Sequence, residues 1–340
     1  MTSVKNFRVA EPATDDALGR GSFVFTDDYS VFDWGKMPDE IPDKGASLCT
    51  MGAFNFELLE DAGIPTHYRG VVVGDEVRPF STAVDAAPAE MAIDLTQVPD
   101  LPVADGTYDY EAYHAQAGEN YLVPLEIVFR NRVGVGSSLR RRTDPSDHGL
   151  DVATWPDGVV ELPEPIIEFS TKYEEQDRYL SRDEADTIAG VADVAELEAV
   201  ARDVNRLVTE RAGEAGLTHQ DGKIECLYYG GEIRVADVVG TFDENRFSYD
   251  GQQVSKEVLR QYHKRTQPAW VEAVGRAKER ANAEDVADWK RLCDHEPEPL
   301  PDDIVRTARN LYCAGTNAYV GQDVFEAPSM AEAVEAVRNL

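Results

Sequence analysis

Two stretches decide the fold: VPLEIVFRNRVGVGSSLRRR, from Val123 to Arg142, and DGKIECLYYGGEIRVADVVGTFDENRF, from Asp221 to Phe247. In the first, a strand-like apolar run carries Glu126 and Arg130, and a Gly-Ser turn then opens into Arg140, Arg141 and Arg142. In the second, charged residues alternate with apolar ones on either side of a Gly-Gly turn, which puts ionised groups on one face of a hairpin. Together they describe an anion site facing a metal-nucleotide site.

The hairpin geometry can be worked out further. Asp221, Lys223 and Glu225 alternate and therefore share a face. Whether Asp237 joins them depends on the parity of the turn. A two-residue turn at Gly230-Gly231 pairs Asp237 with Ile224, on the opposite face. A three-residue turn, Gly230 to Glu232, pairs Glu225 directly with Asp237, their Cβ atoms about 5 Å apart. A shared metal at Glu225 and Asp237 rests on the second arrangement: two carboxylates that close repel each other unless a cation lies between them, and oxygen-only ligands suit Mg²⁺ bridged to phosphates. The GVGSS turn can hold a phosphate through backbone N–H groups and guanidinium forks, or pair its arginines with surface carboxylates, just as the hairpin can be a solvated acidic face in place of a metal site. No GxxxxGK[ST] loop occurs.

Outside these stretches the chain is strongly acidic. Its 340 residues carry a net charge of −31, a surface that repels nucleic acid and anionic membranes. Arginine is favoured over lysine, and this excess of acid predicts a protein kept soluble in concentrated salt, as in a halophile, where screening removes self-repulsion. With no secretory h-region and no membrane-spanning run, a cytoplasmic location is expected. Cys49, Cys226, Cys293 and Cys313 lack metal-ligand spacing and read as separate reduced thiols.

The pattern of elements predicts an α+β fold with antiparallel sheets: a small N-terminal lobe over 1–121, a larger lobe over 122–296, and a C-terminal helical extension over 297–340. Leu48, Met51, Phe54, Leu58 and Leu59 recur at helical spacing before Gly63. Residues from about 77 to 119 are rich in Ala, Pro and Asp and read as an acidic insertion. VELPEPIIEFSTKYEEQD is extended because of its prolines. Ser181 with Glu184 and Asp193 with Glu196 have capping-box spacing, and Val194, Leu197, Val200, Val204 and Leu207 form one apolar stripe. A further helical region starts near Ser255 and runs past Trp270 to about Ala281, with shorter ones near Asp303 and after Ser329.

The order of these motifs resembles the phosphoribosylaminoimidazole-succinocarboxamide synthase (SAICAR synthetase) family. Its first signature corresponds to LVPLEIVFRNRVGVGS and its second, Asp-x-Lys-x-Glu, to DGKIE. DDYSVFD, DKG, STKYEEQD, DVVGTFDENRF and SKEVLRQY follow in the family's order, over about residues 20–275. The resemblance implies an ATP-dependent ligase of purine biosynthesis with a nucleotide cleft between two lobes. Its substrates would be ATP, 4-carboxy-5-aminoimidazole ribotide (CAIR) and L-aspartate, and a homo-oligomer is compatible with it.

Residue by residue, the resemblance places Glu225 and Asp237 at the magnesium-nucleotide carboxylates and Lys172 and Lys223 at the nucleotide-side and catalytic lysines. Leu122 falls at the adenine hinge. Arg130, Ser137, Arg246 and Arg260 fall on the ribotide's phosphate and ribose end, and Asp177 near its ribose. There are departures. One extra residue before Gly136-Ser137 lets Ser138 compete with Ser137. Cys226-Leu227 replace the usual Phe-Gly. The Gly-Lys-x-Lys hairpin that covers the ATP phosphates survives only as VKNFRV, with Lys5 and Val9 in place and Phe7 where a lysine is expected. Another ATP-dependent phosphotransferase of the same fold, or a nucleotide or ribotide sensor without catalysis, would share much of this site.

Overall fold

A computed structural model describes residues 4–83, 86–104, 106–175, 178–284, 286 and 288–340. The first lobe is built from β1 (Lys5–Glu11), β2 (Gly19–Phe25), α1 (Lys44–Asp61), β3 (Tyr68–Val73), β4 (Glu76–Arg78) and β5 (Glu90–Leu95). Its five strands run in the order β1-β2-β5-β3-β4, every neighbouring pair antiparallel. The segment read as an acidic insertion therefore carries a central strand. β5 buries Met91, Ala92, Ile93 and Leu95, a short apolar run diluted by the Ala, Pro and Asp around it. The rest of that segment forms a short hairpin, β6 (Val103–Ala104) and β7 (Thr107–Tyr108), and α2 (Tyr110–Ala117), which Asp109 caps.

The chain then enters the second lobe through β8 (Asn120–Leu122), β9 (Leu125–Val133), the short α3 (Leu139–Arg142) and β10 (Val160–Thr171). Two helices follow, α4 (Arg182–Ala189) and α5 (Val194–Glu214). The Ser181–Glu184 capping box forms, and Asp193 caps α5 by accepting from the N–H groups of Ala195 and Glu196. The α5 stripe is rotated slightly from expectation: Val194, Leu197, Ala201, Val204 and Val208 are buried, with Val200 and Leu207 on its flanks.

β11 (Thr218–Tyr229) and β12 (Glu232–Ala236) form the predicted hairpin, followed by β13 (Arg246–Tyr249) and β14 (Gln252–Gln253). The helical region after Ser255 is two helices, α6 (Glu257–Thr266) and α7 (Pro268–Glu284), because Pro268 cannot continue the first. α8 (Asp302–Val320) and α9 (Met330–Arg338) close the chain.

β11 organises the second lobe. Its first half lies between β9 and β13, and its second half pairs with β12 and β8. The lobes meet where Thr66 bridges Val235 and the His67 N–H bonds the Val235 carbonyl at 3.0 Å. One apolar core runs through both lobes and takes in α8 and α9. The C-terminal extension is thus part of the body of the molecule: α8 packs along α1, where Arg309 holds Asp43 at 2.5 Å and Ser47 donates to the Tyr312 carbonyl at 3.1 Å.

Candidate active site

Strand β11 sets the axis of the site. Asp221, Lys223 and Glu225 share one face, as expected, and at the rise of an extended strand the two carboxylates lie about 14 Å apart. Antiparallel pairing with β9 sets Arg130 opposite Asp221 and Val128 opposite Lys223. Close packing is needed here: a Cβ at Gly222 would fall 2.0 Å from the Asn245 side-chain nitrogen.

At one end lies an apolar slot of about 90 Å³ lined by Phe7, Phe23, Leu122, Leu227 and Ala236, with Glu225 and Asp237 at its edge. Leu122 therefore sits where a flat base could rest. Val9 does not join it; it is 55% exposed on the edge strand β1, and Phe7 from the same strand lines the slot instead.

Glu225 and Asp237 do come together, by a different route from the one expected. The turn has two residues, since Tyr229 pairs with Glu232 and Glu225 with Ala236. Gly230 and Gly231 both take positive φ, 57° and 90°, as the favoured tight hairpin requires. Strand parity alone would send Asp237 to the far face. Its backbone is instead left-handed, φ 62°, which ends the strand and turns the carboxylate back. His67 stabilises that conformation from the other lobe, its Nε2 lying 3.1 Å from the Asp237 carbonyl. Burial lowers the His67 pKa to about 4, so the ring is neutral and this nitrogen donates.

Each carboxylate has a lysine. Lys172, following β10, bonds Glu225, and Lys5, from β1, bonds Asp237. Lys223 bonds Glu126 at 2.5 Å and lies 3.7 Å from Glu244. Burial, then the neighbouring Asp237, push the Glu225 carboxyl up to about 7 in spite of Lys172. Asp237 resists burial because Lys5 and Lys172 hold its pKa down. A pair of buried oxygen ligands that resist ionising together fits a divalent cation.

At the other end a cleft of about 380 Å³ is lined by Arg130, Arg246 and Arg260 together with Asp221, Lys223 and Tyr179. Arg130 is buried, 2.7 Å from Glu168 and 3.5 Å from Asp221, and donates to the Tyr179 hydroxyl at 2.9 Å. Arg246 reaches Asp221 at 2.8 Å. Burial raises the Asp221 pKa against the pull of these two arginines.

The basic turn divides its work. Arg140 is structural, donating to the carbonyls of Gly134 and Val133 at 2.8 and 3.0 Å. Arg142 stacks 3.5 Å from the centre of the Tyr179 ring and bonds Glu168 at 2.7 Å. Ser137 is buried and accepts from the Leu139 N–H at 3.3 Å, whereas Ser138 donates to Tyr179 at 3.4 Å, beside the arginines. Asp177 lies outside the described residues.

Sequence reasoning missed a third group. Asp243, which lines the cleft, accepts from Lys44 at 2.7 Å and from the Tyr312 hydroxyl at 2.8 Å. Lys44 is wholly buried, an arrangement tolerated only because it is paired. The acidic loop gave a hint in Asp243, but nothing local points to a tyrosine nearly seventy residues away.

An antiparallel α+β body with a base-sized slot, paired carboxylates and an arginine-lined cleft is the layout of a nucleotide-dependent ligase or phosphotransferase. Comparison with known proteins narrows this. The family model for SAICAR synthetase matches residues 13–277. A protein of Archaeoglobus fulgidus provisionally named phosphoribosylaminoimidazole-succinocarboxamide synthase is 42% identical, over all of this chain and 99% of its own length. The phosphoribosylaminoimidazole-succinocarboxamide synthase of Thermoplasma acidophilum is 29% identical over 88% of this chain and 92% of its own.

Among solved structures, a SAICAR synthetase in complex with ADP superposes with a TM-score of 0.55 at 23% identity, over 88% of this chain and 99% of that one. The Saccharomyces cerevisiae SAICAR synthase complexed with SAICAR gives 0.60 at 22%, over 95% and 94%. At these identities the structures establish the shared fold. The chain belongs to the SAICAR synthetase family, a family of purine-biosynthesis ligases.

Proposed function

We propose that the protein uses ATP to join L-aspartate to CAIR, giving SAICAR, ADP and phosphate. The observation that carries this is the single charged face of β11, which runs from the base-sized slot to the arginine cleft and so aligns a nucleotide with a ribotide. The CAIR carboxylate oxygen attacks the γ-phosphorus, the bond to the bridging oxygen breaks, and ADP leaves. The aspartate amine then attacks the acyl carbon, phosphate departs, and the amide forms as the nitrogen loses its proton.

No side-chain nucleophile is needed; the protein's task is to align anions and neutralise developing charge. Lys5, Lys172 and Lys223 supply positive charge on the nucleotide side, and Leu122 faces the base. Arg130, Arg246 and Arg260 grip the ribotide, with Ser137 or Ser138 and Asp177 as further contacts. A Mg²⁺ held by Glu225 and Asp237 would neutralise the nucleotide phosphates. Aspartate-dependent ADP release in the presence of CAIR tests the reaction. ADP release without aspartate would favour a phosphotransferase, and binding without turnover a sensor.

We also propose a cytoplasmic protein adapted to concentrated salt. With −31 net charge, lowering the salt from about 1 M to about 0.01 M extends the Debye length from about 3 to about 30 Å. Melting temperature and activity should then both fall. An unchanged melting temperature would remove the salt adaptation and leave the catalytic proposal untouched.

A further inference from the structure

Among its described residues, the segment that joins β5 to β8 adds no strand to the sheet of either lobe. It closes over the base slot instead. Leu122 ends the three-residue β8 and lies opposite Leu227 of β11. Its N–H donates to the Gln97 carbonyl at 3.0 Å, and its carbonyl accepts from the Tyr113 hydroxyl at 2.8 Å. Both backbone groups of this residue are thus met by the joining segment and not by β11, and buried backbone groups must be met somewhere.

The helix that carries Tyr113 is itself tied to the larger lobe. His114 lies with Nε2 2.9 Å from the Ile188 carbonyl, near the end of α4, and with its ring 4.8 Å from that of Tyr121. Gly190, at φ 73°, makes room for it: a Cβ there would fall 2.5 Å from the His114 ring. Held in this way, α2 can serve as a rigid spacer.

The same helix reaches the lysine side of the site. Tyr113 is fully buried, its ring 5.9 Å from that of Tyr173. The Tyr110 hydroxyl donates to Glu174 at 2.9 Å, and the Tyr108 hydroxyl accepts from the Glu175 N–H at 2.9 Å. Residues 173–175 follow Lys172 directly, and Lys172 bonds Glu225. Three tyrosines within six residues, in a stretch otherwise rich in Ala and Asp, therefore touch the segments that carry Leu122 and Lys172.

We infer that Tyr113 and Tyr110 are positioning residues for the nucleotide. Tyr113 holds the base end through Leu122, Tyr110 holds the segment behind Lys172 at the phosphate end, and α2 fixes the span between them. The inference rests on the proposed nucleotide site and adds the residues that set its length. A rigid span matters because a misplacement of about 1 Å at the reacting atoms can cost about a hundredfold in rate.

Tyr113→Phe removes one hydroxyl and keeps the ring. It should weaken ATP binding, measured by calorimetry without CAIR, about three- to tenfold and raise the KM for ATP by the same factor, with the KM for CAIR within about twofold. Affinity for inorganic tripolyphosphate, read as competition against ATP, should not change, since that ion has no base to reach Leu122. Tyr110→Phe acts at the other end and should weaken ATP and tripolyphosphate alike. Its effect should be smaller, about two- to threefold, because Arg178 also holds Glu174, at 3.0 Å. A purely structural role would lower the melting temperature and leave the ratio of ATP to tripolyphosphate affinity unmoved. That outcome for Tyr113→Phe, or unchanged binding of both ligands by Tyr110→Phe, would overturn the inference. Wild-type protein that binds tripolyphosphate as tightly as ATP would instead overturn the base slot on which it rests.

Discussion

The two ends of β11 solve opposite problems with the same residue types. At the nucleotide end buried carboxylates need cations, and lysines supply them: Lys172 to Glu225 and Lys5 to Asp237. At the ribotide end guanidinium groups, Arg130 buried and Arg246 part-exposed, need anions, and Glu168 and Asp221 supply them. Lysine is a point charge on a flexible stem, whereas a guanidinium is a planar fork held by several partners at once. In the proposed reaction the nucleotide end would therefore exchange partners when phosphates arrive, while the ribotide end would be set in advance, with Arg130 and Arg142 both fixed against Tyr179.

The sharpest way to break this contrast is Glu225→Gln. Removing a carboxylate proposed to hold the cation that neutralises the phosphoryl charge should cost turnover about a hundred- to a thousandfold. The same change should stabilise the ligand-free protein. The folded pKa of Glu225, about 7, lies above its ordinary 4.5, so the proton-linked stability is fully present below about 4.5 and is lost as pH rises through 7. At pH 8 the buried anion is a net cost of up to about 3 kcal/mol. The variant should then melt a few degrees higher than wild type at pH 8, with the advantage gone at pH 5. A lower melting temperature at pH 8 would mean that the Lys172 pair stabilises the fold. For wild type, affinity for the nucleotide should decline as pH falls below about 7 and Glu225 takes up its proton.

At the preset end the expected loss is smaller and one-sided. Arg246→Ala removes a charge-assisted phosphate contact and should raise the CAIR requirement about ten- to a hundredfold, with the ATP requirement nearly unchanged. Steady-state kinetics with each substrate varied in turn will show this; equal rises would erase the distinction between the ends.

The smallest effect tests the connection between them. The loop from Asp237 to Arg246 carries one residue of each end, and Tyr312 fixes its middle through Asp243. Tyr312→Phe should lower kcat about three- to tenfold, since one hydrogen bond to a charged group is lost. KM should change little, and by the same factor for ATP and CAIR. A rise confined to one substrate would tie Asp243 to that end alone.

Local pattern foretold much of this. The alternation in DGKIEC placed Asp221, Lys223 and Glu225 on one face because side chains of a strand repeat every two residues, whatever surrounds them. The helical spacing after Ala46 gave α1, and the Ser181 capping box gave the start of α4. The motif order also identified the family, since chemistry fixes which charged residues recur along the chain. The same motif order put Lys5 and Lys172 on the nucleotide side, but the carboxylate each one meets and the placement of Tyr312 could not be read that way.

Asp237 shows where local pattern stops. Parity with a two-residue turn assigns it to the wrong face, and a left-handed backbone steadied by His67, 170 residues distant in sequence, reverses that assignment. Periodicity and turn chemistry depend on neighbours along the chain, so the sequence alone determined most strands and helices outside residues 77–119, and the charged face of β11. Which distant lysine meets which carboxylate, and which tyrosine steadies the loop, depends on how the two lobes and α8 pack. That was decided only by the tertiary structure, because burial makes an unpaired charge costly and so selects partners from anywhere in the chain.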